Sequence, residues 1–106
     1  MIGHRIPLVD GKIDRWPELP GDYVGPVKGY SGDVEAMFFL LPIARDVGVE
    51  PSARSVHHIT FPPHRYTEFP DGSVQVRESI ASKGAAGVTI WHGYLDEHHE
   101  WRTLPS

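Results

Sequence analysis

The sequence predicts a mainly β domain: a small antiparallel β-sandwich or rolled sheet of five to seven short strands, with two C-terminal hairpins and at most one short helix. Three observations carry this expectation. The 10 prolines and 11 glycines among 106 residues interrupt any long helix and suit short strands joined by turns. His64 to Phe69 and Ser73 to Ile80 flank Pro70-Asp71-Gly72, with Val74, Val76 and Ile80 alternating against Gln75, Arg77 and Ser79. Val88 to Leu95 and Glu100 to Leu104 flank the polar stretch Asp96-Glu97-His98-His99 as a second hairpin.

The rest of the chain is read in the same terms. Residues 1–32 hold four prolines and six glycines with no steady helical period, so they read as a Pro/Gly-rich N-terminal arm of extended chain, turn and short strand preceding a β core at 33–106, all within a single domain. Asp10-Gly11, between Leu8-Val9 and Ile13, is either a tight hairpin turn or a surface bend. Asp33 to Val47 is the most apolar run and must be core. Asp33 could cap a helix, but Pro42 would end it after about two turns, and Phe38-Phe39-Leu40-Leu41 suits a strand buried on both faces better. A loop at Gly48, Pro51, Ser52 and Ser55 precedes a strand from Val56 to Phe61, and Lys83 to Gly87 is a small-residue linker.

Composition narrows the function classes. Hydrophobic residues make up 40% and charged residues 23%, as in ordinary folded domains rather than disordered ones. With no cysteine there are no disulfides, thiolate zinc ligands or cysteine nucleophiles, which fits a reducing compartment. No apolar run approaches the ~20 residues needed to cross a bilayer, and Met1-Ile2-Gly3-His4-Arg5 lacks a secretory signal's apolar stretch, so no membrane role and a cytoplasmic setting are expected. The formal charge of −4, with scattered basic residues, disfavours nucleic acid. Full protonation of the seven histidines would carry that charge to +3, so solubility and association should vary with pH between about 5 and 7.

The residues that could carry chemistry are mostly histidines. His57 and His58 are adjacent and point to opposite faces of a strand, so at most one joins a site with His64 and His92. His58, His64 and His92, with Asp96 or Glu97 as a fourth ligand, form a conceivable zinc site, although their spacing matches no established ligand pattern. Half-buried histidines with ring nitrogens bonded to backbone are the first expectation, and no cofactor is expected. His98-His99 reads as a solvated turn. His92 with Glu78 or Glu68 could transfer a proton, and Ser79 lacks the glycine-flanked elbow of a hydrolase, so a binding role ranks above catalysis. Gly25 to Gly32 lacks the Lys-Ser/Thr ending of a phosphate loop, and Gly84 to Gly87 precedes a strand. Trp16, Trp91, Trp101, Tyr66 and Tyr94 could form an exposed aromatic patch, with Trp91, Tyr94 and Trp101 the first choice for protein binding. Core packing should still claim at least two of the three tryptophans.

The stretch Asp71-Gly72-Ser73-Val74-Gln75-Val76-Arg77-Glu78-Ser79-Ile80, then Trp91-His92-Gly93-Tyr94-Leu95 and Glu100-Trp101-Arg102, resembles a small bacterial and phage domain family of unknown function. Its members share an Asp-Gly hairpin, a Ser-Ile strand end, a His-Tyr strand and a final Trp, and the resemblance covers about residues 34–104. The family usually has a C-x-C-G-C segment after the first apolar strand and another Cys before the His-Tyr strand, which implies a zinc site. Here the corresponding positions are Leu40-Leu41-Pro42-Ile43-Ala44 and 83–90, and every thiolate is missing. The resemblance implies that this member has lost the metal or replaced its ligands with histidines, and it brings no established activity.

The expected role is therefore an accessory or protein-interaction module with a protein partner, a homodimer being one form of it. The resemblance adds a phage-encoded protein in an infected host's cytoplasm as one setting. A hydrolytic His/carboxylate metal-binding protein and a virion or assembly component are the alternatives.

Overall fold

The computed structural model describes residues 1–43 and 54–105, which form nine strands and no α-helix. β1 (His4–Ile6), β2 (Asp22–Ser31), β3 (Val34–Phe39) and β4 (His57–Phe61) make a four-stranded sheet in that order. β5 (Arg65–Glu68) pairs with β6 (Val74–Arg77), and β7 (Ile80–Lys83), β8 (Thr89–Leu95) and β9 (Trp101–Thr103) form a three-stranded sheet. All pairings are antiparallel except β1 with β2. The mainly β expectation therefore holds, with more strands than anticipated.

Both C-terminal hairpins form where turn chemistry places them. In the first, Gly72 adopts φ 86°, the left-handed conformation that glycine enters without steric cost, and its N–H donates to the Phe69 carbonyl at 2.9 Å. The Asp71 carboxylate locks the bend by accepting from the Ser73 N–H at 2.9 Å and hydroxyl at 2.6 Å. In the second, the Asp96 N–H donates to the Glu100 carbonyl at 2.9 Å and joins β8 to β9. Asp10-Gly11 also closes a tight hairpin: Val9 and Lys12 exchange two 2.9 Å bonds, and φ values of 52° and 74° give the primed turn that such hairpins favour.

The apolar run at 34–39 is a strand because it pairs on both edges with β2 and β4 and buries Met37 and Phe39 on its inner face, and Pro42 follows its end. The segment expected to be an N-terminal arm is partly core. β2 belongs to the four-stranded sheet, and Tyr23 and Val24 are fully buried. Pro26 is tolerated there because the β2–β3 register shifts between Val24 and Val27, a bulge that leaves its missing N–H unneeded. At the same bulge Gly25 has φ 111°, and a Cβ would lie 2.6 Å from the Ala36 carbonyl oxygen. Gly25→Ala should therefore cost on the order of 2 kcal/mol, read as a lower urea midpoint at unchanged m-value. The loop expected at Gly48, Pro51 and Ser52, and the end of the apolar run from Ala44 to Val47, lie outside the described residues.

The core joins the sheets. Tyr23, Met37, Phe39, Ile59 and Phe61 of the first sheet pack with Val74 and Val76 of β6, Ile80 of β7, Trp91 and Leu95 of β8, and Trp101 of β9. Burying each large apolar side chain contributes about 1.5–3 kcal/mol, so this cluster is the main source of stability. The N-terminus ties the sheets together at their edges. Met1 O accepts from the Trp101 N–H at 2.8 Å, and the Gly3 N–H donates to His99 O at 2.7 Å. The radius of gyration, 13.2 Å, is close to the ~13 Å of a single domain of this length.

Candidate functional site

Two regions outside the main core gather functional side chains. The first is an open cleft of about 520 Å³, lined by Gly3, His4, Arg5, Asp71, Ser73 and His99. Asp96 organises the turn that carries His99. Its Oδ1 accepts from the N–H groups of His98 at 2.8 Å and Glu100 at 3.0 Å, and its Oδ2 accepts from Arg102 Nε at 2.7 Å. Burial alone would raise the Asp96 carboxyl, but the hydrogen bonds from Arg102, Glu100 and His98 outweigh it and hold the group below the usual carboxylate range. The loop leaves His99 at φ 60°, unusual for a residue with a side chain.

That backbone aims the His99 ring at Tyr23. The Tyr23 hydroxyl lies 2.7 Å from His99 Nε2, and the two rings meet edge to face at 5.5 Å. Burial pushes the Tyr23 phenol up to about 12, so it stays protonated and donates to the imidazole. Burial also lowers the His99 pKa, assisted by the charges of Arg5 and His4 and opposed by Asp71 and Asp96. A neutral His99 accepting from a neutral Tyr23 is the consistent pair. The neighbouring groups are engaged too: Arg5 contacts Glu68 and donates to Gly72 O at 2.8 Å, while Asp71 holds Ser73. The cleft is thus a polar tie among β1, β2 and the two turns.

The tie has a pH signature. His99 prefers to be neutral in the fold, so its contribution is fully present above the ordinary value of 6.5 and is lost as pH falls below it. The chemical-denaturation midpoint should fall between pH 7.5 and 5.5. His99→Asn, which tolerates the left-handed backbone, should be less stable at pH 7.5 and show a flatter profile. An unchanged slope in that variant would remove His99 as the cause.

The second region is the outer face of the four-stranded sheet. Phe38 projects there from β3 opposite His58 of β4, and the two rings stack at 5.6 Å. Trp16, from the β1–β2 connection, meets Phe38 edge-on at 5.1 Å and Tyr30 at 6.0 Å, and Tyr30 meets Phe38 at 6.0 Å. The Ile13 N–H donates to the Tyr30 hydroxyl at 3.0 Å, anchoring the connection to β2. Ile6, Val24, Val27 and Ala36 are buried, but Trp16 is 43% and Tyr30 40% exposed. The rings brace one another while presenting area to solvent.

The residues singled out from sequence fall in several places. Trp91 and Trp101, expected to face a partner, are each 4% exposed and packed against Phe39 and each other, so of that trio only Tyr94 reaches the surface. Tyr66 packs on Phe61 and donates to Glu35 at 3.0 Å. His58 and His64 line one groove with Ala81, and Ala81 pairs across the strands with His92. His64 Nε2 lies 3.1 Å from Ser79 O, and His92 Nδ1 lies 3.3 Å from Pro105 O. Among the described residues, no three His, Asp or Glu side chains converge as metal ligands. His99 and Tyr23 escaped sequence reasoning because 76 residues separate them and no local motif joins them. No protein-family model, curated protein or solved structure matches the chain.

Proposed function

We propose that this domain is a non-enzymatic interaction module that binds a protein partner through the outer aromatic face formed by Trp16, Tyr30, Phe38 and His58. The observation that carries the reading is the pairing of exposure with order: Trp16 and Tyr30 are about two-fifths exposed, yet both rings rest against Phe38. Rigid aromatic side chains lose little entropy on binding and dominate the energetics of many interfaces. The polar cleft favours binding over catalysis as well, because its hydroxyl, guanidinium and carboxylate groups already hold one another. The charge of −4 argues for a protein rather than a nucleic acid.

The test compares wild type with Trp16→Ser/Tyr30→Ser as bait in a lysate of the source organism, after equal folding is established by circular dichroism. A protein retained by wild type and reduced about tenfold or more on the double variant is the expected result. Identical retention on both baits, or no retained protein at micromolar wild-type bait, contradicts the proposal.

A further inference from the structure

On the β5–β6 hairpin, Arg65 and Arg77 occupy directly paired positions, so two guanidinium side chains rise from the same face of one ribbon. Like charges placed opposite one another destabilise a strand pair unless something else uses them. Both line an open cleft of about 420 Å³ together with Phe61, Pro62, His64, Tyr66 and Thr67. The two arginines differ in their partners. Glu78 accepts from Arg65 Nε at 2.8 Å and approaches Nη2 at 2.5 Å, fixing the plane of that guanidinium. Glu78 does this from φ 63°, a backbone conformation costly for a residue with a side chain. Among the described residues, Arg77 has no ion pair or side-chain hydrogen bond.

We propose that Arg77, the oriented Arg65 and Thr67 form a binding site for the phosphoryl group of a small phosphate monoester, whose organic part rests on Phe61 and Pro62. The chemistry follows from the donors. Guanidinium groups present planar pairs of N–H donors that match phosphate oxygens, and the Thr67 hydroxyl supplies a further donor to a tetrahedral anion. A dianion would also remove the repulsion between the paired arginines. Glu78 is a positioning residue here: it takes one edge of Arg65 and leaves the other for the ligand. The apolar residues in the lining, Phe61 and Pro62, give an ester an advantage over the free ion. The arginines stand on the β5–β6 hairpin and the aromatic rings on the four-stranded sheet, so either function can fail without the other.

The test is a titration of the ¹⁵N-labelled full chain at pH 7.5 with phenyl phosphate and with inorganic phosphate, at ionic strength held constant with sodium chloride. Wild type should show saturable shifts confined to amides 61, 64–67 and 76–78, with phenyl phosphate binding more tightly than phosphate. Arg77→Gln should weaken phenyl phosphate by about tenfold, whereas Arg15→Gln, a cation elsewhere on the surface, should not. Without ligand, Arg77→Gln should melt at the same temperature as wild type or above it, because the like-charge pair is gone. Three results would overturn the proposal: shifts that never saturate, equal binding by wild type and Arg77→Gln, or equal affinity for the two ligands, which would leave an adventitious ion only.

Discussion

Gly93→Val should abolish the folded state, or leave it less stable by on the order of 4 kcal/mol or more, with two-dimensional NMR showing collapsed dispersion at 25 °C. Gly93 needs no positive φ; the constraint is space. A Cβ there would stand 2.0 Å from the Arg102 carbonyl oxygen on β9 and 2.5 Å from the Trp91 ring. The oxygen is backbone and cannot swing away. Trp91 is fixed by its own hydrogen bond, Nε1 to Thr103 Oγ1 at 3.1 Å, and by packing against Phe39 and Trp101. Trp91 covers the bare strand position, in the manner of an aromatic ring shielding a glycine, so the two residues form one packing unit. A domain of this size has about 5–15 kcal/mol of stability in total, and separating β8 from β9 would also expose Leu95 and Trp101.

The second large effect is at Trp101. Trp101→Ala should lower stability by about 3–5 kcal/mol, measured as a shift in the urea midpoint. Its ring stacks on Phe39 at 5.4 Å, meets Tyr23 at 6.2 Å and donates from Nε1 to Gly21 O at 2.9 Å. Truncation would leave a cavity and strand that carbonyl without its partner. Trp16→Ala, by contrast, should cost about 1 kcal/mol or less, because the ring already faces water on one side. The contrast separates the tryptophans by role: a partner lost in Trp101→Ala reports on folding, and one lost in Trp16→Ala reports on contact.

The parts of the fold that were legible in sequence were those governed by local chemistry. The Pro70–Gly72 bend, the Asp96–His99 bend and the strand preference at 34–39 depend on turn residues and alternation, and all three form. The assignment of residues 1–32 to an arm with at most a short strand fell short because a proline and two glycines in 22–31 disguise a ten-residue strand whose bulge accommodates them. The aromatic face was half legible. Trp16 was among the aromatic residues singled out, but Tyr30, Phe38 and His58 join it only through strand pairing, and alternation alone could not say which face of β8 was inward. The Tyr23–His99 pair had no sequence signal, since a left-handed histidine turn and a buried tyrosine meet only once both sheets are packed.

Amide hydrogen exchange on the domain alone and with a partner retained by wild-type bait tests whether that partner engages the proposed outer aromatic face. The expected result is added protection at Ile13 to Trp16, Lys28 to Tyr30, Met37 to Phe38 and His58, with little change across β7 to β9. Protection confined to β7 to β9, with the Trp16 and Phe38 segments unchanged, would contradict it.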